Sequence, residues 1–207
     1  DPLHAMRERD ADVLLRLELL RGIRDYPEVS RGLLRRIRTT AGNWQRQLQV
    51  AAPPADHADL EMTGVLLACA YPDRIARRRG GHDNQFLLSS GRGARFAVAE
   101  PLAAADYLAC AHLDGQREAR IFLAARIDYQ QLLDYHGTLA RERTRVSWDA
   151  REQAVLARRQ LCLGELVLRD EPWTGADPQQ LQSVLLQGLR GCGPACLPWT
   201  DAARQLQ

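Results

Sequence analysis

The clearest absence in this 207-residue sequence is lysine, because all 28 of its basic residues are arginine. With 26 acidic residues, the formal net charge is only +2, so the chain as a whole is not a polycation. Affinity for a polyanion would have to come from where the arginines lie. Arginine suits two-point contacts to phosphate, but GC-rich codon usage produces the same composition, and composition alone leaves both explanations open.

Several functional classes lack their signatures. The longest uninterrupted apolar run, Val65 to Tyr71, is far shorter than the roughly 18–20 residues of a membrane span, so we predict no membrane segment. There is no G-x4-G-K-S/T loop and no D-E-x-H box, which nucleotide hydrolysis would need. There is also no G-x-S-x-G nucleophile elbow. We therefore predict no catalytic residues and no cofactor in this chain.

Cysteine is sparse, odd in number and widely spread, mostly between apolar neighbours. The five are Cys69, Cys110, Cys162, Cys192 and Cys196. This pattern is typical of buried thiols in a reducing compartment, and it favours a cytoplasmic protein. Cys192 and Cys196 form a C-x3-C pair, but no second Cys/His pair follows, so we predict no metal site.

The fold class predicted from apolar spacing is α+β. Helical spacing is found from Asp10 to Arg24, from the N-cap Ser30 to Leu48, and from Asp59 to Ala70, which predicts an N-terminal helical bundle over residues 1–72. Another helix follows the N-cap Asp177 and continues to Arg190, within a C-terminal helical segment over residues 174–207.

Between these helical parts, after Gly80 and Gly81, the apolar period changes to two. This change predicts a small OB-like antiparallel β-barrel over residues 73–173, with a short helix from Tyr129 to Tyr135. The last candidate strand carries Gly164, which we interpret as a bulge. The six candidate strands are Phe86 to Ser89, Ala94 to Val98, Tyr107 to His112, Ala119 to Ile127, Arg143 to Trp148, and Ala154 to Leu168.

One arginine cluster precedes the predicted barrel, in the segment from Ala70 to Gly81. It consists of Arg74, Arg77, Arg78 and Arg79. Four guanidinium groups within six residues could hold phosphates through hydrogen bonds that do not depend on base sequence. The alternatives are a solvated linker, or arginines that pair with Asp73 and other carboxylates of the same protein.

A second basic segment, SSGRGARF, runs from Ser89 to Phe96. Gly91 and Gly93 would allow the loop to approach a ligand closely, and Arg92 and Arg95 would then face that ligand. The alternative is an ordinary hairpin turn with an arginine at its tip. We also weigh the Arg158-Arg159 pair, but alternation places these two on opposite faces of one strand. Four aromatic residues could stack on bases, although core positions are the more usual ones for strand aromatics: Phe86, Phe96, Tyr107 and Trp148.

Seven segments, in this order, resemble the C-terminal part of bacterial HrpB-type ATP-dependent helicases of the DEAH-box class. They extend over roughly Leu60 to Trp199. The segments are AYPDRIARRRG, SSGRGARF, EPLAAADYLACAHLDG, EARIFLAARID, VSWD, ARRQLCLGELVL and LPWT. The chain departs from the family at GCGPAC, Gly191 to Cys196, where relatives are more often apolar. The start at Asp1-Pro2, without Met or a signal peptide, agrees with a piece of a longer protein.

The resemblance implies that the intact protein uses two upstream RecA-like domains, with ATP and Mg²⁺, to move along RNA. This segment would then be a non-catalytic accessory region that covers those domains and contacts single-stranded RNA through the six arginines of the two basic segments. Single-stranded DNA is the alternative ligand. The competing hypothesis is a structural or protein-interaction module without direct RNA contact. A free-standing enzyme that uses Cys192 or Cys196 is the third.

Overall fold

A computed structural model describes residues 10–27, 29–51, 58–81 and 84–193, and within these the chain forms two compact units. The first, which we call the barrel unit, comprises Asp1–Leu139 together with Gly164–Leu166. The second, the hairpin unit, comprises Ala140–Leu163 and Val167–Gln207. The contacts thus group the N-terminal helices with the barrel, whereas the division into residues 1–72, 73–173 and 174–207 stays a prediction.

The first two helices form a pair with a small core of its own. Helix α1 (Val13–Arg21) begins where the Asp12 carboxylate accepts a hydrogen bond from a first-turn amide, and it ends at Gly22 in the left-handed conformation. Helix α2 (Arg31–Gln47) begins at Ser30, which confirms the predicted N-cap. The pair packs through Leu19, Val29 and Leu34.

The centre of the barrel unit is a closed five-stranded barrel. Its strands are β1 (Ile75–Arg78), β2 (Gln85–Leu88), β3 (Gly93–Arg95), β4 (Tyr107–Leu113) and β5 (Glu118–Arg126). They follow the order β1-β2-β3-β5-β4, and β4 pairs with β1 to complete the ring. All neighbours are antiparallel except β3 and β5, which run parallel. Strand β1 was not predicted, because its arginines hide the two fully buried residues Ile75 and Ala76.

The inside of the barrel is filled by small and aromatic side chains in register. Phe86, Ala94 and Ala119 are Cα partners across β2, β3 and β5, and all three are buried. Phe96 packs edge-on against Phe86, with ring centroids 5.7 Å apart. Tyr107 is also buried. The interpretation of these strand aromatics as core residues is therefore confirmed for Phe86, Phe96 and Tyr107.

The third predicted helix, Asp59 to Ala70, packs on the barrel. It consists of a short turn, α3 (Ala58–Glu61), and α4 (Thr63–Ala70), which lies against β4 and β5. Helix α4 approaches closely because a side chain is missing at Gly64: a Cβ there would lie 2.0 Å from the Arg126 carbonyl oxygen. Helix α4 is therefore apolar because it packs against strands β4 and β5 as well as against neighbouring helices.

Residues 10–12 attach the helical pair to the barrel. Asp12 forms a parallel bridge with Ala124 of β5, and the Ala124 amide donates a 2.9 Å hydrogen bond to the Ala11 carbonyl. The Glu100 carboxylate accepts from the Ala11 amide at 3.2 Å. Buried Arg16 donates to the carbonyls of residues 10 and 12. Because buried carbonyls need such partners, Arg16 stabilises this junction.

The last three strands form a separate sheet, so the closed barrel has five strands and not the six that were predicted. They are β6 (Arg141–Asp149), β7 (Ala154–Leu163) and β8 (Leu166–Pro172), in the sheet order β6-β7-β8. Gly164 is also different from the prediction. It adopts a φ of 58° in the turn between β7 and β8, so the supposed bulge in one long strand is a hairpin turn between two strands.

Helix α6 (Pro178–Cys192) covers part of this second sheet. Asp177 caps it and Pro178 occupies its first position, which confirms both predicted features. A Cβ added to Gly188 would lie 2.2 Å from the Trp148 indole, so the helix backbone rests directly on that ring. Glycine at this position allows the helix to touch the sheet.

The described cysteines differ in accessibility. Cys110 and Cys162 are buried, Cys192 is partly buried, and Cys69 is exposed, with its sulfur 4.0 Å from His136 Nε2. The prediction of buried thiols is thus wrong for Cys69, which lies on the outer side of α4. Cys196 lies outside the described residues. None of the helices in the described part of the chain has the length and apolar content of a membrane-spanning segment.

The contact at Gly64 predicts opposite effects for two glycine substitutions in helices. Gly64→Ala should lower the free energy of unfolding by about 1–3 kcal/mol, because the new methyl group meets the β5 backbone. The control Gly42→Ala, in α2, meets nothing within 4 Å and should raise stability by up to about 1 kcal/mol. Urea unfolding followed by circular dichroism measures both. A stabilised Gly64→Ala variant would contradict the packing of α4.

Burial should also separate the thiols by reactivity. Burial raises the pKa of Cys110 to about 12, so at pH 8 its reactive thiolate is scarce. Brief iodoacetamide labelling at pH 8, mapped by mass spectrometry, should modify Cys69 and leave Cys110 unmodified. In denaturant, both should be labelled at similar rates. Equal labelling of the two in the native protein would be incompatible with this barrel interior.

Candidate nucleic-acid interface

Three arginines from different parts of the sequence form one row across the barrel. The Arg79 amide donates to the Gln85 carbonyl at 2.9 Å, and Gln85 is the Cα partner of Arg95 on β3. Arg95 is in turn the partner of Arg120 on the parallel strand β5. Neighbouring strands are about 4.8 Å apart, so these side chains leave the sheet close together. We call Arg79, Arg95 and Arg120 the arginine row.

The row lies on the outer face of the barrel. Side chains alternate along a strand, and the neighbours Ala94 and Ala119 are buried inside, so Arg95 and Arg120 point outward. All three arginines are exposed. Arg120 was not among the predicted site residues, because it lies in an ordinary alternating strand outside the two basic segments. Only the parallel pairing of β3 with β5 brings it beside Arg95.

The positive charge of the row is weakly balanced. The Glu118 carboxylate lies 3.9 Å from Arg95 Nε, at the outer limit of an ion pair. Among the described residues, neither Arg79 nor Arg120 has an ion-pair partner. Like charges directly opposite one another on a sheet, such as Arg95 and Arg120, are destabilising. A surface that carries such a cost suits an anionic partner.

Gly93 leaves space on the outer face of the sheet, beside the arginine row. It lies between Leu87 and Glu118 in the neighbouring register line and has no side chain to stand out from the sheet. A Cβ at Gly93 would be 3.6 Å from a guanidinium nitrogen of Arg79, so the Arg79 side chain extends over this glycine. The close approach expected at Gly93 is therefore made by the protein's own Arg79 and Glu118 side chains.

Arg77 lies in the next register line, beside an aromatic pair. Its guanidinium carbon is 6.0 Å from the Tyr107 ring centroid, and the Tyr107 and Tyr129 rings are 6.0 Å apart. Burial raises the pKa of Tyr107, so this phenol stays neutral. Arg77 is thus exposed, and its guanidinium group also makes a cation–π contact with Tyr107.

Arg78 belongs to an internal ion pair. Its Nη2 donates to the Asp106 carboxylate at 2.7 Å, and both side chains are largely exposed. This short contact matches the alternative in which cluster arginines meet carboxylates of the same protein. This ion pair is shorter than those of Arg74 with Asp73 and of Arg95 with Glu118.

The remaining two, Arg74 and Arg92, come together in a polar cleft of about 260 Å³. Arg74 stacks 4.6 Å over the Tyr71 ring, donates to the Ala111 carbonyl at 3.3 Å, and lies 3.8 Å from the Asp73 carboxylate. Arg92 donates to the Gln116 carbonyl. The two basic segments therefore meet in the structure, at a site with carboxylates as well as guanidinium groups.

The SSGRG loop is the turn of the β2–β3 hairpin, as the simpler interpretation proposed. Gly91 has a φ of 84°, which glycine adopts without strain. A Cβ there would be 3.2 Å from the Glu165 side chain, and the Glu165 amide donates to the Ser89 carbonyl at 2.9 Å. The close approach at Gly91 is thus to the protein itself.

The Arg158-Arg159 pair is engaged within the hairpin unit. Arg158 Nε donates to the Asp170 carboxylate at 2.9 Å, and this hydrogen bond holds the Asp170 pKa below its usual range. Arg159 lies 3.8 Å from Glu171. Within the described ranges, no three His, Cys, Asp or Glu side chains form a potential metal site.

Comparison with known proteins gives one family throughout. The family described as "ATP-dependent RNA helicase HrpB, connector region" matches residues 139–173, which hold β6 to β8. The protein "ATP-dependent RNA helicase HrpB" of Escherichia coli (strain K12) is 33% identical over 153 residues, covering 72% of this chain and 19% of that protein. The chain therefore spans about a fifth of the length of this relative.

Two solved structures are similar over nearly the whole chain. The "DExH-box NTPase HrpB" of E. coli superposes with a TM-score of 0.64 at 27% identity, covering 98% of this chain and 23% of that one. The "Escherichia coli DEAH/RHA helicase HrpB" superposes with a TM-score of 0.61 at 26% identity, covering 98% and 24%.

Proposed function

The chain corresponds to a C-terminal region of an HrpB-type helicase, as its sequence predicted, and from this premise we propose that it is a non-catalytic accessory region that binds the backbone of single-stranded RNA. The arginine row is the observation that carries the proposal. Guanidinium groups form paired, charge-assisted hydrogen bonds with phosphate. Contacts of this type position a strand without reading its bases, so little sequence preference is expected.

The barrel itself supports this proposal. A small five-stranded barrel is the architecture of oligonucleotide-binding folds, which use the face of strands 2 and 3 and the adjoining loops. Here the arginine row crosses β3, and the cleft with Arg74 and Arg92 lies where the β2–β3 turn meets residues 113–115. Arg77 lies between these two places, whereas Arg78 serves mainly its internal ion pair.

The rest of the proposal concerns the longer protein. Because this chain spans about a fifth of its E. coli relative, ATP hydrolysis with Mg²⁺ is assigned to RecA-like domains elsewhere in the same polypeptide. The segment would cover those domains and hold the strand that they move. Its expected location is the cytoplasm, and single-stranded DNA is an alternative ligand.

Salt dependence tests the backbone contact. The affinity for fluorescent oligo(U), measured by titration, should fall steeply as the salt concentration rises, because binding releases counterions. Replacing Arg79, Arg95 or Arg120 with Ala should each reduce the slope of log K against log salt by about one. The control Arg169→Ala, at an exposed arginine 3.5 Å from Glu171, should leave the slope unchanged. No binding at low salt, or equal slopes in all variants, would refute direct contact.

A protein-interaction module remains the second candidate, and one surface favours it. At the C-terminal end of α2, Trp44 is 63% exposed and the C-cap residue Leu48 is 73% exposed, although both continue the apolar side of that helix. Exposed apolar groups of this size are typical of protein contacts. In this alternative, α2 packs on another part of the full-length helicase, and the barrel arginines never meet RNA.

The full-length helicase separates these candidates by its RNA-stimulated ATP hydrolysis. If the arginine row binds RNA, Arg79→Ala/Arg95→Ala/Arg120→Ala should raise the RNA concentration needed for half-maximal stimulation at least about tenfold. Trp44→Ala/Leu48→Ala should then leave that concentration unchanged. Normal stimulation in the arginine variant, with loss of stimulation in the α2 variant, would favour the interaction module.

A further inference from the structure

An aromatic side chain lies exposed on the outer face of β5, directly beside the arginine row. Phe122 is 39% exposed and stands two residues after Arg120, on the same face of the strand. Its inward-facing neighbour Ile121 belongs to the barrel core, and Phe122 does not. Because Phe122 lies outside the core cluster, packing of the barrel interior does not account for an aromatic residue at this position.

A β-irregularity brings a second ring to the same place. The register between β4 and β5 shifts on both sides of His112. Such shifts change the direction of a side chain, and here the His112 ring lies 5.0 Å from that of Phe122 at an angle of 34°.

Arg120 links this aromatic pair to the row. Its guanidinium carbon lies 5.2 Å from the Phe122 ring centroid, within the range of a cation–π contact. Residues two apart on a strand have Cα atoms about 6.6 Å apart, so Arg120 and Phe122 are placed to contact neighbouring parts of one strand. The three side chains form a continuous surface that is cationic at one end and aromatic at the other.

We propose that Phe122, together with His112 and Arg120, is a stacking platform for an unpaired base of the strand whose phosphates the arginine row binds. This inference rests on the proposed function and adds base contact to it. Aromatic rings and guanidinium planes stack on every base, so the platform is tolerant of sequence. It is selective for single strands, because a duplex keeps its base faces covered.

The test compares Phe122→Ala with the unsubstituted chain, using oligo(U) of fixed length. Loss of one stacked base should weaken binding about 5- to 150-fold. The slope of log K against log salt should stay unchanged, because no phosphate contact is lost. Phe122→Trp should retain full affinity, since a larger ring still stacks. Val98→Ala, which removes another exposed apolar side chain of the barrel unit, should have no effect.

An abasic oligonucleotide of the same length provides a ligand-side control. The unsubstituted chain should bind it as weakly as Phe122→Ala binds oligo(U), and Phe122→Ala should bind both ligands equally. Duplex RNA should bind both proteins with the same affinity.

The possible outcomes separate this inference from the function on which it rests. Salt-dependent binding with unchanged affinity in Phe122→Ala would overturn the platform and leave backbone contact intact. Absence of any salt-dependent binding would overturn both. Relative to the unsubstituted chain, Phe122→Ala could also weaken binding of the abasic oligonucleotide as much as binding of oligo(U). That result would indicate a loss of fold and would also overturn the platform.

Discussion

The parallel pairing of β3 with β5 is the constraint on which the rest of the barrel unit depends. It completes the ring of strands and sets Arg95 beside Arg120 as Cα partners. Because side chains alternate, the same register places Ala94 and Ala119 inside. A slip by one residue would bury the arginines and expose the core. The charged outer face is thus a consequence of the packing that stabilises the inner one.

Internal carboxylates reduce the charge of this surface without removing it. Asp73, Asp106 and Glu118 each lie within 4.0 Å of an arginine, but all are substantially exposed. Exposed ion pairs contribute only about 0–1 kcal/mol, so a phosphate can replace such a carboxylate at little cost. The stacks of Arg74 on Tyr71 and of Arg120 on Phe122 also favour arginine over lysine, because only a planar cation stacks on a ring.

Features that depend on residues close together in the sequence were predicted correctly. The caps at Ser30 and Asp177 and the helix at residues 129–136 follow from side chains that bond to nearby backbone, and the resemblance to HrpB-type helicases is confirmed. The errors concern partners distant in sequence. Strands β6 to β8 have ordinary alternation, and nothing in it distinguishes a place in the barrel from a place in a second sheet. Gly164 was interpreted as a bulge, because a tight turn and a bulge both require glycine.

The sequence by itself determined the class of fold, the helix caps at Ser30 and Asp177, the family, and which two segments are rich in arginine. All of these depend on neighbours along the chain. The tertiary structure alone decided which arginines lie together. It separated Arg78, held by Asp106, from Arg79, and it added Arg120, which lies 41 residues further along the chain. The physical reason is strand register: closing a barrel joins distant segments at fixed positions, and no local pattern specifies that alignment.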